Sequence, residues 1–310
     1  MYNLVYTTYR IKFEDLIMTD DNRNPKPTDE VVDNKGKNDT NIELKSSILD
    51  TINKDNINNL HVNNISQQDV SEVNSFELSK ESKDYVLDDN YKVPSYLIDV
   101  YNWAYIKPKN VKFLDNIIIY NTILFGNGFK LMKTFLKEID INSNHLQIAH
   151  VYGPLVNKVL DKIGSKGHLT VLDAAPVQLE QAKKKIGPAK NVKYILQDAK
   201  DPFYGNFKTI GCYFLLHEVP DDVKVTILDN ILDHVVNNNS KAIFVDYHRP
   251  SIFNPARFIL SLINKTLEPF ADTMWHNDIK DFTKRSDQFN WRKETYFFGT
   301  YQKVVVTKKS

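Results

Sequence analysis

The amino-acid sequence predicts an α/β fold, a Rossmann-like doubly wound sheet, for the second half of this 310-residue chain. From His145 onward, short apolar runs alternate with amphipathic stretches, a pattern typical of strand–helix repeats. Two apolar runs near the end are separated by Gly299-Thr300-Tyr301, which favours a closing antiparallel hairpin. In such a sheet, ligands bind in the crevice at the carboxyl ends of the strands, so we expect functional residues there.

Each predicted element follows from local residue spacing. Apolar residues recur at helical spacing in Leu155–Ile163, and Gly164 ends that helix. Pro176 occupies the first turn of the next helix, where a missing N–H is tolerated. The predicted strands are His145–Val151, His168–Leu172, Val192–Leu196, Thr209–Leu216, Lys241–Tyr247 and the hairpin pair Thr295–Phe298 and Gln302–Thr307. The predicted helices are Leu155–Ile163, Pro176–Ile186 and Asp221–Val236.

Two segments lie outside this α/β frame. Val93–Glu138 is dense in aromatic and aliphatic residues and predicts a mostly helical leader. Ser251–Trp275 is an apolar insertion between the fifth strand and the hairpin. We therefore expect residues 85–140 to form a helical leader packed on a core domain that spans residues 141–310.

The first 84 residues differ in composition from the rest. Between Asp20 and Asp84 the only aromatic residue is Phe76, so this Asn-rich stretch has little apolar area to offset its ordering entropy. We expect residues 1–84 to be a disordered extension. Its first residues include Arg10 and Lys12 with no acid before Glu14, which is a weak organelle-targeting signal. A start without any targeting role is the alternative.

Composition excludes several classes of protein. The formal net charge of +1 provides no strong field for nucleic acid. Cys212 is the only cysteine, which excludes a disulfide framework and a Cys-based zinc site and suggests a reducing compartment. No window of eighteen uncharged apolar residues predicts a membrane-spanning helix.

Candidate cofactor residues follow the first three strands. The first turn, Val151-Tyr152-Gly153-Pro154, has one glycine and by itself is a weak nucleotide-binding loop. Asp173 ends the second strand about twenty residues after Gly153, where an acid that binds ribose hydroxyls belongs. Asp198 follows the third strand, near the expected position of an adenine amine. Capping of a helix or turn is the alternative role of each acid. Together these residues predict binding of S-adenosylmethionine (SAM), and hence a sheet of the class I SAM-dependent methyltransferase type.

Ionisable residues follow the fourth and fifth strands. His217 and Glu218 come after the fourth strand, and Asp246-Tyr247-His248-Arg249-Pro250 ends the fifth. Because the carboxyl ends of parallel strands meet at one edge, we expect both clusters to face one crevice and to transfer protons there. No spacing among them is diagnostic of a metal site, so the metal ligands stay unknown.

Two apolar stretches bear on the substrate. Phe113–Leu124 is apolar nearly all round, which favours a core helix. Ile252–Leu267 combines Arg257 and Lys265 with large apolar residues, which is typical of an interfacial lid over a lipid-like substrate. Core packing is the alternative for this second stretch.

Taken in order, the motifs of residues 93–306 resemble the RquA family of rhodoquinone-biosynthesis proteins, divergent relatives of SAM-dependent methyltransferases. Ordinary methyltransferases share the frame but not this set of motifs, and Pro154 departs from the polar residue that we expect at that position. The matching segments are Val93-Pro94-Ser95-Tyr96-Leu97, Tyr101-Asn102-Trp103-Ala104-Tyr105, Ala149-His150-Val151-Tyr152-Gly153, Pro176-Val177-Gln178-Leu179, Phe214-Leu215-Leu216-His217-Glu218, Val245-Asp246-Tyr247-His248-Arg249-Pro250, Leu267-Glu268-Pro269-Phe270, Arg292-Lys293-Glu294-Thr295 and Tyr301-Gln302-Lys303.

The resemblance implies an enzyme that converts ubiquinone to rhodoquinone by replacing a ring methoxy group with an amino group. SAM is the implied amino donor, with assistance from manganese. His217, oriented by Glu218, is our candidate base for the amine proton, and a metal or Arg249 is the candidate for stabilising charge on the quinone carbonyl. His248 belongs to the expected catalytic set as well. The expected cofactor-binding residues are Val151, Tyr152, Gly153, Asp173, Gln178, Asp198 and Ala199.

A lipid substrate further implies peripheral contact with a membrane. We expect the matrix side of the inner membrane of a mitochondrion or a mitochondrion-related organelle. One alternative function is a conventional SAM-dependent methyltransferase that acts on a quinone or another lipid-soluble aromatic compound. Another is a catalytically inactive lipid-binding subunit of a quinone-biosynthesis complex, which the lost glycines favour and the ionisable clusters disfavour.

Overall fold

The computed structural model describes residues 91–309. The expected extension over residues 1–84 lies outside the described residues, as do the first residues of the expected leader. Within residues 91–309, a run of short helices comes first, and strands alternating with helices come after it.

A seven-stranded sheet forms the centre of residues 91–309, with strand order β3-β2-β1-β4-β5-β7-β6. β7 is antiparallel to both of its neighbours, whereas β1 to β5 are parallel. The chain order reverses between β1 and β4, which creates a crevice at their carboxyl ends. The strands are β1 Asn144–Ile148, β2 His168–Asp173, β3 Val192–Leu196, β4 Thr209–Tyr213, β5 Lys241–Tyr247, β6 Phe289–Tyr296 and β7 Tyr301–Lys308.

Helices precede the sheet and cover it. The α-helices are α1 Ser95–Asp99, α2 Pro108–Leu114, α3 Ile117–Ile123, α4 Gly128–Leu136, α5 Leu155–Ile163, α6 Pro176–Ile186, α7 Asp221–Asn238, α8 Arg257–Thr266 and α9 Asp272–His276. A π-helical segment spans Asn102–Ile106, and short 3₁₀ helices span Leu216–Glu218, Ile279–Phe282 and Ser286–Gln288. The predicted fold class is confirmed, including the helical leader and the insertion before the hairpin.

Burial explains why the predicted repeats formed. α5 buries Leu155, Val156, Val159 and Ile163, which lie on one face at helical spacing. β4 is buried along its whole length, as expected for a parallel strand covered on both faces. These surfaces belong to one continuous core that includes the strands β1, β2, β4 and β5.

Two strands end earlier than their apolar pattern predicts. Ala149 has a φ of 64° and Phe214 a φ of 53°, so each adopts the left-handed region immediately after the last strand residue. The apolar residues that follow therefore leave the sheet and enter the crevice. β6 begins at Phe289 rather than at Thr295, because its first residues are mostly polar and partly exposed and lack a clear apolar signal.

The prediction of one core helix over Phe113–Leu124 is wrong, because two helices share this stretch. The chain breaks between α2 and α3, where the side chain of Asn116 caps α3 by accepting from the N–H of Ile118. Ile118 is 70% exposed. The apolar residues of this stretch thus lie partly on the protein surface and partly in the core.

No helix within residues 91–309 is long and apolar enough to cross a membrane.

The buried side chain of His145 makes the fold sensitive to acid. Burial lowers the pKa of His145 to about 4, from an ordinary value of 6.5. The unfolded chain therefore binds more protons than the folded chain between these two values, so stability is lost as the pH falls through this window. At pH 5 we expect a loss of about 2 kcal/mol relative to pH 7 from this residue.

Urea unfolding at both pH values measures the effect. His145→Gln removes the titration and keeps a polar partner for the Thr209 hydroxyl, which lies 2.7 Å from His145 Nδ1. The variant should lose less stability than the wild type between pH 7 and pH 5. An equal loss in both proteins would show that His145 does not titrate in this range.

Candidate active site

The crevice lies at the carboxyl ends of the parallel strands and is covered by the leader. It has about 1070 Å³ of atom-free space, including open solvent at its mouth. Its walls come from the turns after β1, β2, β3 and β4, from the end of β5, from the leader and from the insertion. Of the predicted cofactor residues, those that line it are Val151, Tyr152, Asp173, Gln178, Asp198 and Ala199.

The loop after β1 is held by the leader rather than by glycines. Gly153 has a φ of 79°, and a Cβ there would lie 2.8 Å from the ring of Tyr120. The N–H of Gly153 donates to Oδ1 of Asp115 at 2.8 Å. Lys185 Nζ lies 2.6 Å from the same carboxylate oxygen and 2.6 Å from the carbonyl oxygen of Gly153. The glycine therefore permits close approach of a protein side chain, and it does not itself line the crevice.

A chain of polar contacts continues from this loop across the crevice. His150 Nδ1 lies 2.9 Å from Gln178 Oε1, and the amide of Gln178 donates to the carbonyl oxygen of Tyr105 and to the hydroxyl of Tyr152. The hydroxyl of Tyr152 in turn donates to the carbonyl oxygen of Ala104. Gln178 thus ties α6 and the β1 loop to the leader.

The two predicted cofactor acids lie side by side in the crevice wall. Asp173 accepts from the N–H groups of His150 at 2.7 Å and Ala175 at 2.8 Å, which is the capping role left open by the sequence. Burial raises the pKa of Asp173 to about 7, although these backbone hydrogen bonds oppose the shift. Asp198 Oδ1 accepts from the N–H of Lys200, while its buried Oδ2 makes no hydrogen bond within the described residues and lies 3.5 Å from Lys200 Nζ.

His217 is oriented by Asp246, not by Glu218 as the sequence suggested. Its Nδ1 lies 2.8 Å from Asp246 Oδ1, whereas Nε2 lies 3.6 Å from Glu218 Oε1. The imidazole packs edge-on against the ring of Tyr247, with the ring centroids 4.5 Å apart. Burial lowers the pKa of His217, but the charge and hydrogen bond of Asp246 outweigh it and raise the value to about 9. At neutral pH His217 is therefore a cation.

Two carboxyl groups share the crevice with this cation. Glu218 accepts from the hydroxyl of Tyr105, and Glu268 accepts from the hydroxyl of Tyr101 at 2.8 Å. Burial raises the pKa of Glu218, which the charge of His217 partly offsets. Burial also raises the pKa of Glu268. The leader thus supplies one phenol to each carboxyl group.

The structure does not bring His248 and Arg249 into this crevice. His248 Nδ1 lies 2.9 Å from the carbonyl oxygen of Gly299, and its Nε2 lies 3.6 Å from Asp278. Arg249 is exposed beyond the end of β5. The chain turns outward after Tyr247, so the expectation of a shared crevice is corrected for these two residues.

The described residues do not fit the implied manganese. No group of three or more His, Cys, Asp or Glu side chains in residues 91–309 could hold a metal ion. Two atoms that could bind a metal, His217 Nδ1 and Asp246 Oδ1, are already hydrogen-bonded to each other at 2.8 Å. No reaction step is therefore assigned to a metal.

The sequence analysis assigned no role to Asp115 or to Glu268, although Glu268 stands in one of the segments that resemble the RquA family, and it missed the orienting role of Asp246. Asp115 and Glu268 follow helices outside the strand–helix repeats, in the leader and in the insertion, so strand-end reasoning could not reach them. Asp246 does end a predicted strand, but sequence adjacency favoured Glu218 as the partner of His217.

No protein-family model matches the chain, and no curated protein does either. Solved structures do match. A Nostoc punctiforme protein assigned as an O-methyltransferase is 17% identical with a TM-score of 0.50, over 67% of this chain and 62% of that one. This match and the strand order decide the fold. The chain has the class I methyltransferase fold.

Two further structures with this fold are similar at lower scores. The mitomycin 7-O-methyltransferase MmcR is 16% identical with a TM-score of 0.47, over 66% of this chain and 59% of that one. Human N-acetylserotonin methyltransferase, solved in complex with SAM, is 10% identical with a TM-score of 0.46, over 69% and 62%. The chain thus spans less than two thirds of the length of each of the three proteins. At these identities the likeness concerns the fold.

The contact between Asp246 and His217 predicts how the imidazole titrates. In Asp246→Asn the nearest anion is gone while burial stays, so the pKa of His217 should fall well below about 9, although Glu218 and Glu268 still raise it. Titration of the imidazole carbons by NMR measures it. Asp272→Asn, an exposed substitution on α9, is the matched control and should leave His217 unaffected. A value near 9 in Asp246→Asn would contradict the assignment.

Proposed function

We propose that this protein is a SAM-dependent transferase that converts ubiquinone to rhodoquinone, with SAM as the donor of the amino group. The observation that carries the proposal is one crevice that holds both the cofactor acids and the ionisable cluster. Asp173 and Asp198 line it, and His217 and Glu218 line it as well. The motif set that resembles the RquA family supports the quinone substrate.

The cofactor side of the crevice suits an adenosine group. The buried Oδ2 of Asp198 makes no hydrogen bond within the described residues and lies 3.5 Å from Lys200 Nζ, so it keeps lone pairs that can accept from the adenine amine. Val151 and Ala199 provide apolar wall, and Asp173 retains lone pairs beyond the two backbone N–H groups that it accepts. The loop after β1 is held by Asp115 and Lys185, so the methionine end need not sit as it does in methyl transfer.

The substrate side suits a quinone ring. Tyr105 stacks on Tyr152 with the ring centroids 5.5 Å apart, and Phe214 and Tyr247 add aromatic surface to the same crevice. Aromatic rings pack well against a flat ring of this size. Because His217 is already protonated at neutral pH, we assign the role of base to Glu218, which lies 3.6 Å from the imidazolium that stabilises its ionised form.

A conventional methyl transfer to a quinol or a related aromatic hydroxyl is the second candidate. The match to the Nostoc O-methyltransferase structure favours it, because the fold is the same. Both reactions use the same crevice and differ in which group leaves SAM.

Product analysis separates the two reactions. Incubation with ubiquinone and SAM, with and without manganese, should yield a quinone that is lighter by the difference between a methoxy and an amino group. A heavier, methylated product with S-adenosylhomocysteine would instead establish methyl transfer. Asp198→Asn should abolish turnover, whereas Asp201→Asn, its exposed neighbour, should not. No change of the quinone in the wild type under any of these conditions would refute both.

We further propose peripheral binding to the matrix side of the inner membrane of a mitochondrion or a related organelle. Its support is an exposed apolar surface, formed by Ile252, Phe253, Phe258, Ile259 and Phe298. Phe253 and Phe258 are 81% and 79% exposed. The exposed cations Arg249 and Lys265 flank the segment and suit anionic lipid headgroups.

Replacing Phe253 and Phe258 together by Asp should release the protein from anionic liposomes. Both rings are exposed, so the fold should survive, and turnover of a short-tailed soluble quinone should change little. Tyr204→Asp, at an 84% exposed aromatic residue outside the apolar surface, is the matched control and should bind liposomes like the wild type. Equal co-sedimentation of all three proteins would show that this surface does not contact lipid.

A further inference from the structure

We propose that Glu268 is the acid of this site and that, in its neutral form, it donates a hydrogen bond to a carbonyl oxygen of the bound substrate. The inference rests on the proposed function only in taking the substrate to be a quinone. It assigns to a carboxyl group the role that the sequence gave to a metal or to Arg249.

The position of Glu268 meets the first requirement of such a donor. It follows α8 in the insertion and lines the crevice together with His217, Glu218 and Tyr247. Its Oε2 accepts from the hydroxyl of Tyr101 at 2.8 Å, which fixes the carboxyl group against the leader. Tyr101 is itself buried, so this anchor is rigid.

The charges around Glu268 favour the neutral acid. The leader presents the uncharged phenols of Tyr101 and Tyr105, and the 3₁₀ helix after β4 presents His217 and Glu218. β5 presents Asp246 and Tyr247, and Asp246 already neutralises His217 at 2.8 Å.

If Glu268 were ionised, it would be the third carboxylate beside Asp246 and Glu218, and it would have no cation of its own in the part of the chain that the structure describes. Glu218 lies 3.6 Å from the imidazolium, whose charge stabilises its ionised form. No cationic side chain within residues 91–309 forms an ion pair with Glu268. The carboxyl groups of Glu218 and Glu268 are both buried, and the cation beside them, His217, is already paired with Asp246. Of the two carboxyl groups, Glu268, which has no ion pair with any described side chain, is therefore the one that keeps its proton.

A neutral carboxylic acid in an apolar crevice is a strong hydrogen-bond donor. When a nucleophile adds to the quinone ring, negative charge develops on the conjugated carbonyl oxygen. A hydrogen bond from Glu268 to that oxygen strengthens as the charge grows, while the proton stays on Glu268. Arg249, exposed beyond the end of β5, does not line the crevice.

The pH dependence of turnover tests this assignment. Wild-type kcat should fall at alkaline pH as Glu268 loses its proton. Glu268→Gln keeps an N–H donor that cannot ionise, so its kcat should stay within about tenfold at neutral pH and the alkaline loss should disappear. Glu268→Ala should lower kcat by roughly 100-fold with little change in KM. Glu294→Gln, on the edge strand β6, is the matched control and should keep the wild-type profile.

Tyr101→Phe gives a second, milder test. The Tyr101 hydroxyl lowers the pKa of Glu268 by stabilising its anion, so removing it should move the alkaline loss to higher pH. An alkaline limb that is unchanged in both Tyr101→Phe and Glu268→Gln would overturn the proposal.

A measurement on the ligand-free protein separates this inference from the proposed function. The infrared difference spectrum of wild type minus Glu268→Gln at neutral pH should contain the band of a protonated carboxyl group, and thermal melting confirms that both proteins are folded. This result supports the inference even if ubiquinone is not turned over. A carboxylate band in its place would overturn the inference even if rhodoquinone is formed.

Discussion

The carboxylate of Asp246 is the group around which the His217 side of the crevice is built. It is the penultimate residue of β5 and accepts from the N–H of Leu216, from the N–H of Tyr247 and from Nδ1 of His217, all within 2.8 Å. Three donors stabilise the negative charge of this buried carboxylate. The same three contacts hold the segment after β4 against the end of β5. One side chain therefore sets the charge and orientation of His217 and the path of the backbone after β4. The protonation states of His217, Glu218 and Glu268 all depend on its negative charge.

The leader and Lys185 of α6 hold the loop after β1, where nucleotide-binding sheets have a glycine-rich loop. Asp115 and Lys185 bind the backbone of the single glycine, and Tyr120 occupies the space beside it. The π-helical segment then carries Tyr105 to Glu218, as π-helical turns often serve functional sites. A crevice closed in this way by the chain's own side chains can be shaped for an apolar ring without extra glycines.

Aromatic contacts connect this crevice with the exposed apolar surface. Phe298 contacts Phe297, which stacks on Tyr301, and Tyr301 meets Phe214 beside His217. Phe214, Phe297 and Phe298 all adopt positive φ values, which are unusual for bulky side chains and mark backbone held by its surroundings. The packing that fixes these rings therefore joins the region proposed to meet lipid to the region proposed to hold the quinone ring.

The sequence by itself determined the strand–helix repeats, because apolar periodicity is a local property of the chain. Leu155–Ile163, Pro176–Ile186 and Lys241–Tyr247 form with the predicted bounds. It also placed most of the expected cofactor residues at the crevice, since the carboxyl ends of parallel strands converge in any sheet of this topology. Only the tertiary structure decided the partner of His217, the outward path of His248, the contact of Asp115 with the loop after β1 and the entry of Glu268 into the crevice. Those outcomes depend on contacts between distant segments and on turns such as those at Ala149 and Phe214, where packing overrides local pattern.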